Sequence, residues 1–400
     1  QRISLDSEGE AENQQEEATR IIHKEDRQLQ TQSQSQSQSQ SQTKKKSSAR
    51  QSGPKSKEKQ GDDEKLKEDT LEDAMEDLQK LIGLGRVKKE IQTLTNYLTL
   101  QRRREEAGLP RHALSLHMVF KGNPGTGKTT VARIVGRIFK ALGLLKKGHM
   151  VETDRSGLVA EYAGQTATKA NRKIDEALDG VLFVDEAYSL VSTENPDAYG
   201  LEAIQALVKR MEDDRERLVV ILAGYPAPMQ ELLESNPGLS SRFNTQMLFE
   251  DYAPVDLGRI YQRMCEANHY RLPAPARAKL LVGFDWLYGS RDEHFGNGRL
   301  VRNTFENSVR RLADRVAHIV PITRELLTVL DVEDIHMEKV PQEIWQQLQE
   351  SRTRFSITCH ECGKETHVLI RHLGARVRCP HCDAPFVAEW GMPILRNRDE

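Results

Sequence analysis

No stretch of the 400 residues approaches the roughly 18 consecutive apolar positions that a membrane-crossing helix needs, so no membrane association is expected. A surplus of charge is also missing: 58 Lys and Arg stand against 60 Asp and Glu, a net −2, which argues against a globally basic nucleic-acid coat while leaving room for a local patch. Cysteine is scarce. Four of the five sit in two close pairs near the carboxyl end, and Cys265 reads as an ordinary core residue. No internal repeat of solenoid length is seen. No secretory leader is recognised either, although the chain opens at Gln1 and leaves room for an upstream segment.

Apolar residues are nearly absent from residues 1–69. Gln and Ser alternate strictly from Gln32 to Gln42, followed by Lys44-Lys45-Lys46 and a mixed-charge stretch. Alternation of two polar residues gives neither face of a strand anything to bury, so a disordered, solvated tail is expected there.

What is present begins with Gly122-Asn123-Pro124-Gly125-Thr126-Gly127-Lys128-Thr129-Thr130, lying between the apolar run Met118-Val119-Phe120 and an amphipathic helical stretch. This satisfies G-x-x-x-x-G-K-[ST] in the strand-to-helix context that gives the pattern meaning. The glycines let backbone N–H groups turn inward on a polyphosphate, and the helix start adds its positive dipole end. Lys128 is expected to reach the β- and γ-phosphates, and the Thr129 hydroxyl to hold Mg²⁺. A second half follows at Val181-Leu182-Phe183-Val184-Asp185-Glu186, an apolar run ending in two carboxylates. It reads as a buried parallel strand, with Asp185 as the Mg²⁺ partner and Glu186 as the general base that polarises the attacking water.

Thr70 precedes an acidic helix start, with Leu71, Met75, Leu78 and Ile82 on one face. Ile82-Gly83-Leu84-Gly85 interrupts the pattern before Val87, Ile91, Leu94 and Leu98 resume it. That corner is either an adenine pocket or an ordinary turn between helices. At the other end, Cys359-x₂-Cys362 and Cys379-x₂-Cys382 are separated by sixteen residues, the spacing of a four-thiolate zinc ribbon. Four thiolates close the coordination shell, so Zn²⁺ there is expected to be structural. Lys364, Arg371, Arg376 and Arg378 could give the module a basic face for nucleic acid, or merely offset the zinc-thiolate charge.

Taken together, residues 70–340 resemble the AAA+ ATPases, and within them the CbbX and SpoVK branch, also called CbxX/CfqX. The marks are the two nucleotide motifs, Ala223-Gly224-Tyr225, Asn236-Pro237-Gly238-Leu239-Ser240-Ser241-Arg242-Phe243 and Phe295-Gly296-Asn297-Gly298-Arg299-Leu300-Val301-Arg302-Asn303. The resemblance implies an α/β P-loop core with a parallel sheet (70–253) and a helical lid (254–340), to which the cysteine spacing adds a zinc ribbon (355–392), reached by a linker (341–354) and followed by a short tail (393–400). It implies ATP hydrolysis with Mg²⁺, assembly into a ring, expected to be hexameric, and action on a protein client whose identity is unknown. Ile82 and Gly83 become adenine contacts, Arg242 the finger completing a neighbour's site, and Arg299 the lid arginine sensing phosphates in the same chain, with Arg302 in reserve. Gly157-Leu158-Val159-Ala160-Glu161-Tyr162-Ala163-Gly164 resembles a pore loop with Tyr162 in the channel.

Two departures stand out. The pore segment opens Gly-Leu-Val-Ala where the family more often starts acidic and ends in Gly, and Tyr225 falls where many AAA+ proteins carry a polar residue that orients water. The ribbon is no usual part of the pattern, so the partners of those relatives are not carried over. A motor or switch recruited to nucleic acid through the ribbon is the alternative reading, and a scaffold that binds ATP with little hydrolysis is a third. ATP and reduced thiols point to a cytoplasmic setting.

Overall fold

In the computed structural model, residues 69–110, 115–162, 164–191, 198–348 and 353–394 are described. The expected tail over 1–69 lies, but for Asp69, outside them, as do Ala163, residues 349–352 of the linker and 395–400.

Five apolar runs form one parallel sheet: β1 (Met118–Gly122), β2 (Met150–Thr153), β3 (Gly180–Val184), β4 (Leu218–Gly224) and β5 (Thr245–Phe249), in the order β2-β3-β4-β1-β5. Every residue of β3 and β4 is buried, which explains runs without polar alternation: both faces are covered by helices. Alternate side chains feed two cores. Met118, Phe120, Phe183 and Ile221 pack with α3 (Lys128–Ala141) and the two preceding helices. Val119, Leu182, Val184 and Leu222 pack on the opposite face, with helices that include Thr166–Glu176 and Ala198–Asp213. With β4 between β1 and β3, the loops after these three strands emerge side by side at one edge.

Helix α1 (Leu71–Lys80) begins as the sequence predicts, with a capping box in which Thr70 accepts from the Asp73 N–H and the Asp73 carboxylate accepts from Thr70. Ile82 falls outside it, because the helix ends at Lys80. Leu84, in left-handed conformation (φ 57°), then turns the chain into α2 (Gly85–Glu106). Arg137 of α3 pairs with Asp69 and Asp77, fastening α1 to the helix that follows the phosphate loop.

The lid holds three long helices, Pro254–Ala267, Ala274–Gly289 and Gly298–Val316. After it come a three-stranded antiparallel sheet, β10-β6-β7, built from Arg354–Thr358 (β6), Glu365–Leu369 (β7) and Met392–Ile394 (β10), and the hairpin of β8 (Arg376–Arg378) with β9 (Pro385–Val387). β10 runs past the expected ribbon end at 392 and pairs with β6. Within the expected linker, Gln342–Gln346 is helical and the Trp345 ring lies 2.7 Å from where a Cβ at Gly283 would be.

Lid and ribbon share one hydrophobic core. Phe355, Ile370 and Trp390 of the ribbon join Leu281, Phe284 and Val301 of the lid. At the seam, Trp390 Nε1 donates to Gln262 Oε1 (2.7 Å), the Arg277 guanidinium lies 5.1 Å over the Trp390 ring, and a Cβ at Gly258 would come within 2.5 Å of Trp390 Cε3. Among the described residues no helix is long and apolar enough to cross a membrane.

Candidate functional site

The loop after β1 curls because Gly125 (φ 73°) and Gly127 (φ 93°) take left-handed conformations. At Gly125 a second constraint applies, since a Cβ would meet the Gly296 carbonyl at 2.4 Å. Thr126 Oγ1 donates to Asn123 O (2.8 Å), and Tyr252 Oη donates to Thr126 O (3.2 Å), so the loop is braced from within and from the lid junction. Lys128 Nζ donates to Gly122 O (2.8 Å) and Asn123 O (2.9 Å). Burial pushes its ammonium down to about 8, partly offset by Asp185 and Glu186 and reinforced by Arg299.

A cleft of about 600 Å³ opens above this loop. One end is lined by Gly122, Pro124, Gly125, Gly127, Lys128, Thr129, Thr130, Asp185, Glu186 and Tyr225. The other is apolar, formed by Leu81, Ile82, Leu84, Tyr252, Ile260 and Met264, and three arginines, Arg263, Arg299 and Arg302, project from the lid side. The strand order thus brings together the loop, the two carboxylates and both lid arginines singled out in the sequence. Gly83 stands just behind the apolar end, against the Tyr252 ring.

Asp185 is held by its N–H donating to Thr153 O (2.8 Å), while its own Oδ1 accepts the Glu186 N–H (3.1 Å). Glu186 adopts φ 48°, ψ 41°, a left-handed conformation that costs a non-glycine residue about 1–3 kcal/mol and recurs at functional sites. Tyr225 takes the position between loop and carboxylates, its ring against Tyr188 (5.9 Å) and His294 (5.7 Å). A carboxylate pair beside a hydroxyl and an ammonium can hold a metal-bound polyphosphate. The donor set of the Thr129 hydroxyl and Asp185 carboxylate is the oxygen chemistry that Mg²⁺ takes.

Two site residues lie elsewhere. Arg242 is absent from the lining of its own cleft: Nη1 donates to Gly238 O (3.1 Å), Nη2 pairs with Glu212 (3.3 Å), and the buried Nε has no partner among the described residues. Tyr162 stands 68% exposed between the turn ending at Leu158 and the helix Thr166–Glu176. The sequence reading passed over Tyr252, Ile260, Arg263 and Met264, which line the cleft from beyond β5, and Asp251 and Asn297, described below.

At the second centre, the Sγ atoms of Cys359, Cys362, Cys379 and Cys382 all lie within 4.8 Å of one another, with Cys359–Cys382 at 3.8 Å and Cys362–Cys379 at 3.7 Å. Those separations are far beyond a disulfide bond of about 2.05 Å and match the ~3.8 Å edge of a tetrahedron with Zn–S near 2.3 Å. The two turns are built alike. Gly363 N donates to Cys359 O and Asp383 N to Cys379 O, both 2.9 Å, and Gly363 and Asp383 both take positive φ. The cluster therefore fits structural Zn²⁺, held by all four thiolates with no position left for water. The basic residues around it are not all free: Arg378 pairs with Asp383 (2.8 Å), and from 353 to 394 five Lys and Arg meet four Asp and Glu.

The fold and cleft define a P-loop ATPase with a helical lid. The family model described as "ATPase family associated with various cellular activities (AAA)" matches residues 118–251, and the "AAA lid domain" model matches 253–344. Stage V sporulation protein K of Bacillus subtilis is 41% identical over 254 residues, covering 62% of this chain and 78% of that protein. Protein CbbX of Cereibacter sphaeroides is 38% identical over 265 residues, covering 66% and 85%. The ESX-1 secretion system protein EccA1 of Mycolicibacterium smegmatis is 42% identical over 253 residues, which is 61% of this chain and only 44% of that protein. The chain belongs to the AAA+ ATPases of the CbbX/SpoVK-like family, and its activity is ATP hydrolysis.

Proposed function

We propose that the protein is a Mg²⁺-dependent ring ATPase, hexameric in its working form, that converts ATP hydrolysis into remodelling or threading of a protein client. Lys128 and Arg299 hold the phosphates, and Glu186 takes the proton of the attacking water. Thr129 and Asp185 would hold Mg²⁺, which when bound neutralises charge on the phosphate oxygens. Ile82, with Leu81 and Leu84, forms the apolar end for the adenine, and Gly83 backs it against the Tyr252 ring.

The observation that carries the ring is the position of Arg242. The finger arginine does not line its own cleft, is tethered at Gly238 and Glu212, and keeps a buried N–H without a partner among the described residues. A site completed from outside the chain requires a neighbouring copy. For the client, the support is Tyr162, a large aromatic standing 68% exposed, suited to sequence-tolerant grip on a polypeptide.

The test is Mg²⁺-dependent turnover measured across protein concentration, with and without an unfolded polypeptide. Specific activity is expected to rise with concentration as subunits assemble, and polypeptide is expected to stimulate wild type but not Tyr162→Ala. Turnover per subunit that stays constant on dilution would refute the ring. Stimulation by nucleic acid alone, lost when 355–400 are removed, would replace the protein client with a nucleic-acid one.

A further inference from the structure

We infer that Asp251 and Asn297 are positioning residues for Arg299: they latch the lid turn 295–299 onto the phosphate-binding loop, so that the arginine is delivered to the cleft at a fixed distance from that loop. The inference rests on the reading of Arg299 as a phosphate contact.

Asp251 lies in the short segment joining β5 to the first lid helix, between the strand end at Phe249 and the helix start at Pro254. Its carboxylate gathers donors from three directions. Asn123 Nδ2 of the phosphate loop reaches Oδ1 and Oδ2 (3.0 and 3.2 Å), Asn297 Nδ2 of the lid turn reaches Oδ1 (2.7 Å), and Arg291 Nε lies 3.4 Å from Oδ2. Asn297 is wholly buried, and both ends of its amide are used. Oδ1 accepts the Tyr252 N–H (2.8 Å), and Nδ2 also donates to Phe295 O (3.0 Å).

The backbone supports the same conclusion. Asn297 sits at φ 47°, ψ −121°, a conformation that a residue with a side chain keeps only when its surroundings over-determine it. One residue on, Gly298 N donates to Gly125 O (3.1 Å), and the two loops approach so closely that Gly125 has no room for a Cβ. Arg299 follows immediately, its N–H donating to Gly296 O (2.9 Å). A carboxylate receiving amides from the phosphate loop and the lid turn at once ties the two parts through charge-assisted bonds, and removing it takes one acceptor from the buried Asn297 amide and the acceptor of the half-buried Asn123 amide.

The experiment uses the full chain and two latch variants, each alone and combined with Arg299→Ala. Asp251→Asn keeps size but offers one acceptor oxygen in place of two. Asn297→Gly removes the amide while suiting the left-handed backbone, and it carries the test if Asp251→Asn fails to fold. The readouts are affinity for a fluorescent ATP analogue and for its ADP counterpart in Mg²⁺, alongside the melting temperature. Each latch variant is expected to weaken the ATP analogue about tenfold and the ADP counterpart less. In the Arg299→Ala background the same variants should add nothing, because they act through that side chain. Latch and Arg299 effects that multiply in full would overturn the positioning role while leaving Arg299 a phosphate contact. Arg299→Ala with unchanged ATP affinity would remove that contact and the positioning role with it, while leaving the ATPase reading from Lys128, Asp185 and Glu186 standing.

Discussion

Raising the pH from 7 to 9 should weaken ATP binding about tenfold, and the cause is Lys128. Its ammonium is pushed to about 8, first by burial and then by the like charge of Arg299, against the opposing pull of Asp185 and Glu186. With a pKa near 8 the charged fraction falls from about nine-tenths at pH 7 to about one-tenth at pH 9, whereas an unperturbed lysine near 10.4 stays charged throughout. Phosphate binds the charged form, and bound phosphate raises the pKa of the ammonium. Binding therefore takes up a proton on the alkaline side and weakens as pH rises, by about 1.4 kcal/mol over those two units. Below about pH 7 this lysine contributes no further change.

The assay is equilibrium titration of the native protein with a non-hydrolysable fluorescent ATP analogue, at constant ionic strength. Two variants set the direction. Arg299→Ala removes a like charge and should move the midpoint up in pH. Asp185→Asn removes an opposite charge and should move it down. Affinity that stays flat between pH 7 and 9 in the native protein would refute the reasoning, because it would mean that the lysine keeps its charge in the empty loop.

Three further outcomes are expected. Glu186→Gln should keep ATP binding and lose turnover by about 10²–10⁴-fold in single-turnover assays, the range for loss of a general base. Arg242→Ala should lower turnover by about 10³–10⁵-fold while nucleotide affinity is retained, and mixing it with Lys128→Ala subunits should restore some activity if the finger acts across subunits. Trp390→Ala should destabilise the lid and ribbon core by about 3–5 kcal/mol, read as a lowered melting transition, and a strong chelator should release one zinc per chain by dye assay with loss of that same transition.

The parts of the site that were legible in the sequence are those whose chemistry is local. A phosphate loop needs its glycines, lysine and threonine within nine residues, and β3 announces its burial by four consecutive apolar residues before Asp185. The four cysteines were legible for the same reason, since each turn must present two sulfurs at fixed spacing. Strand order was not, because parallel neighbours are joined by crossovers and no local pattern says that β4 inserts between β1 and β3. Asp251 and Asn297 carry no spacing rule relative to Asn123, from which they lie 128 and 174 positions away. Ile82 shows the limit of periodicity: it continues the apolar face of α1 by count, yet the helix stops at Lys80 and the side chain turns to the cleft.

The ribbon shows a different limit. Its cysteine spacing announced the metal cluster, but nothing local announced that its apolar residues are completed by the lid, where the helix Pro254–Ala267 faces both the cleft and the ribbon. Ile260, Arg263 and Met264 line the nucleotide cleft, while Gly258 and Gln262 meet Trp390. These sets alternate along one helix at spacings of three and four, so each occupies its own face. Gly258 in a helix interior reads from sequence as a cost of about 1 kcal/mol relative to Ala; in the fold it is the clearance that lets an indole lie against the backbone. A module seated there by a ring, a hydrogen bond and a shared core turns with the lid, so whatever angle the phosphate loop and Asp251 impose on the lid is also the angle at which the ribbon is presented.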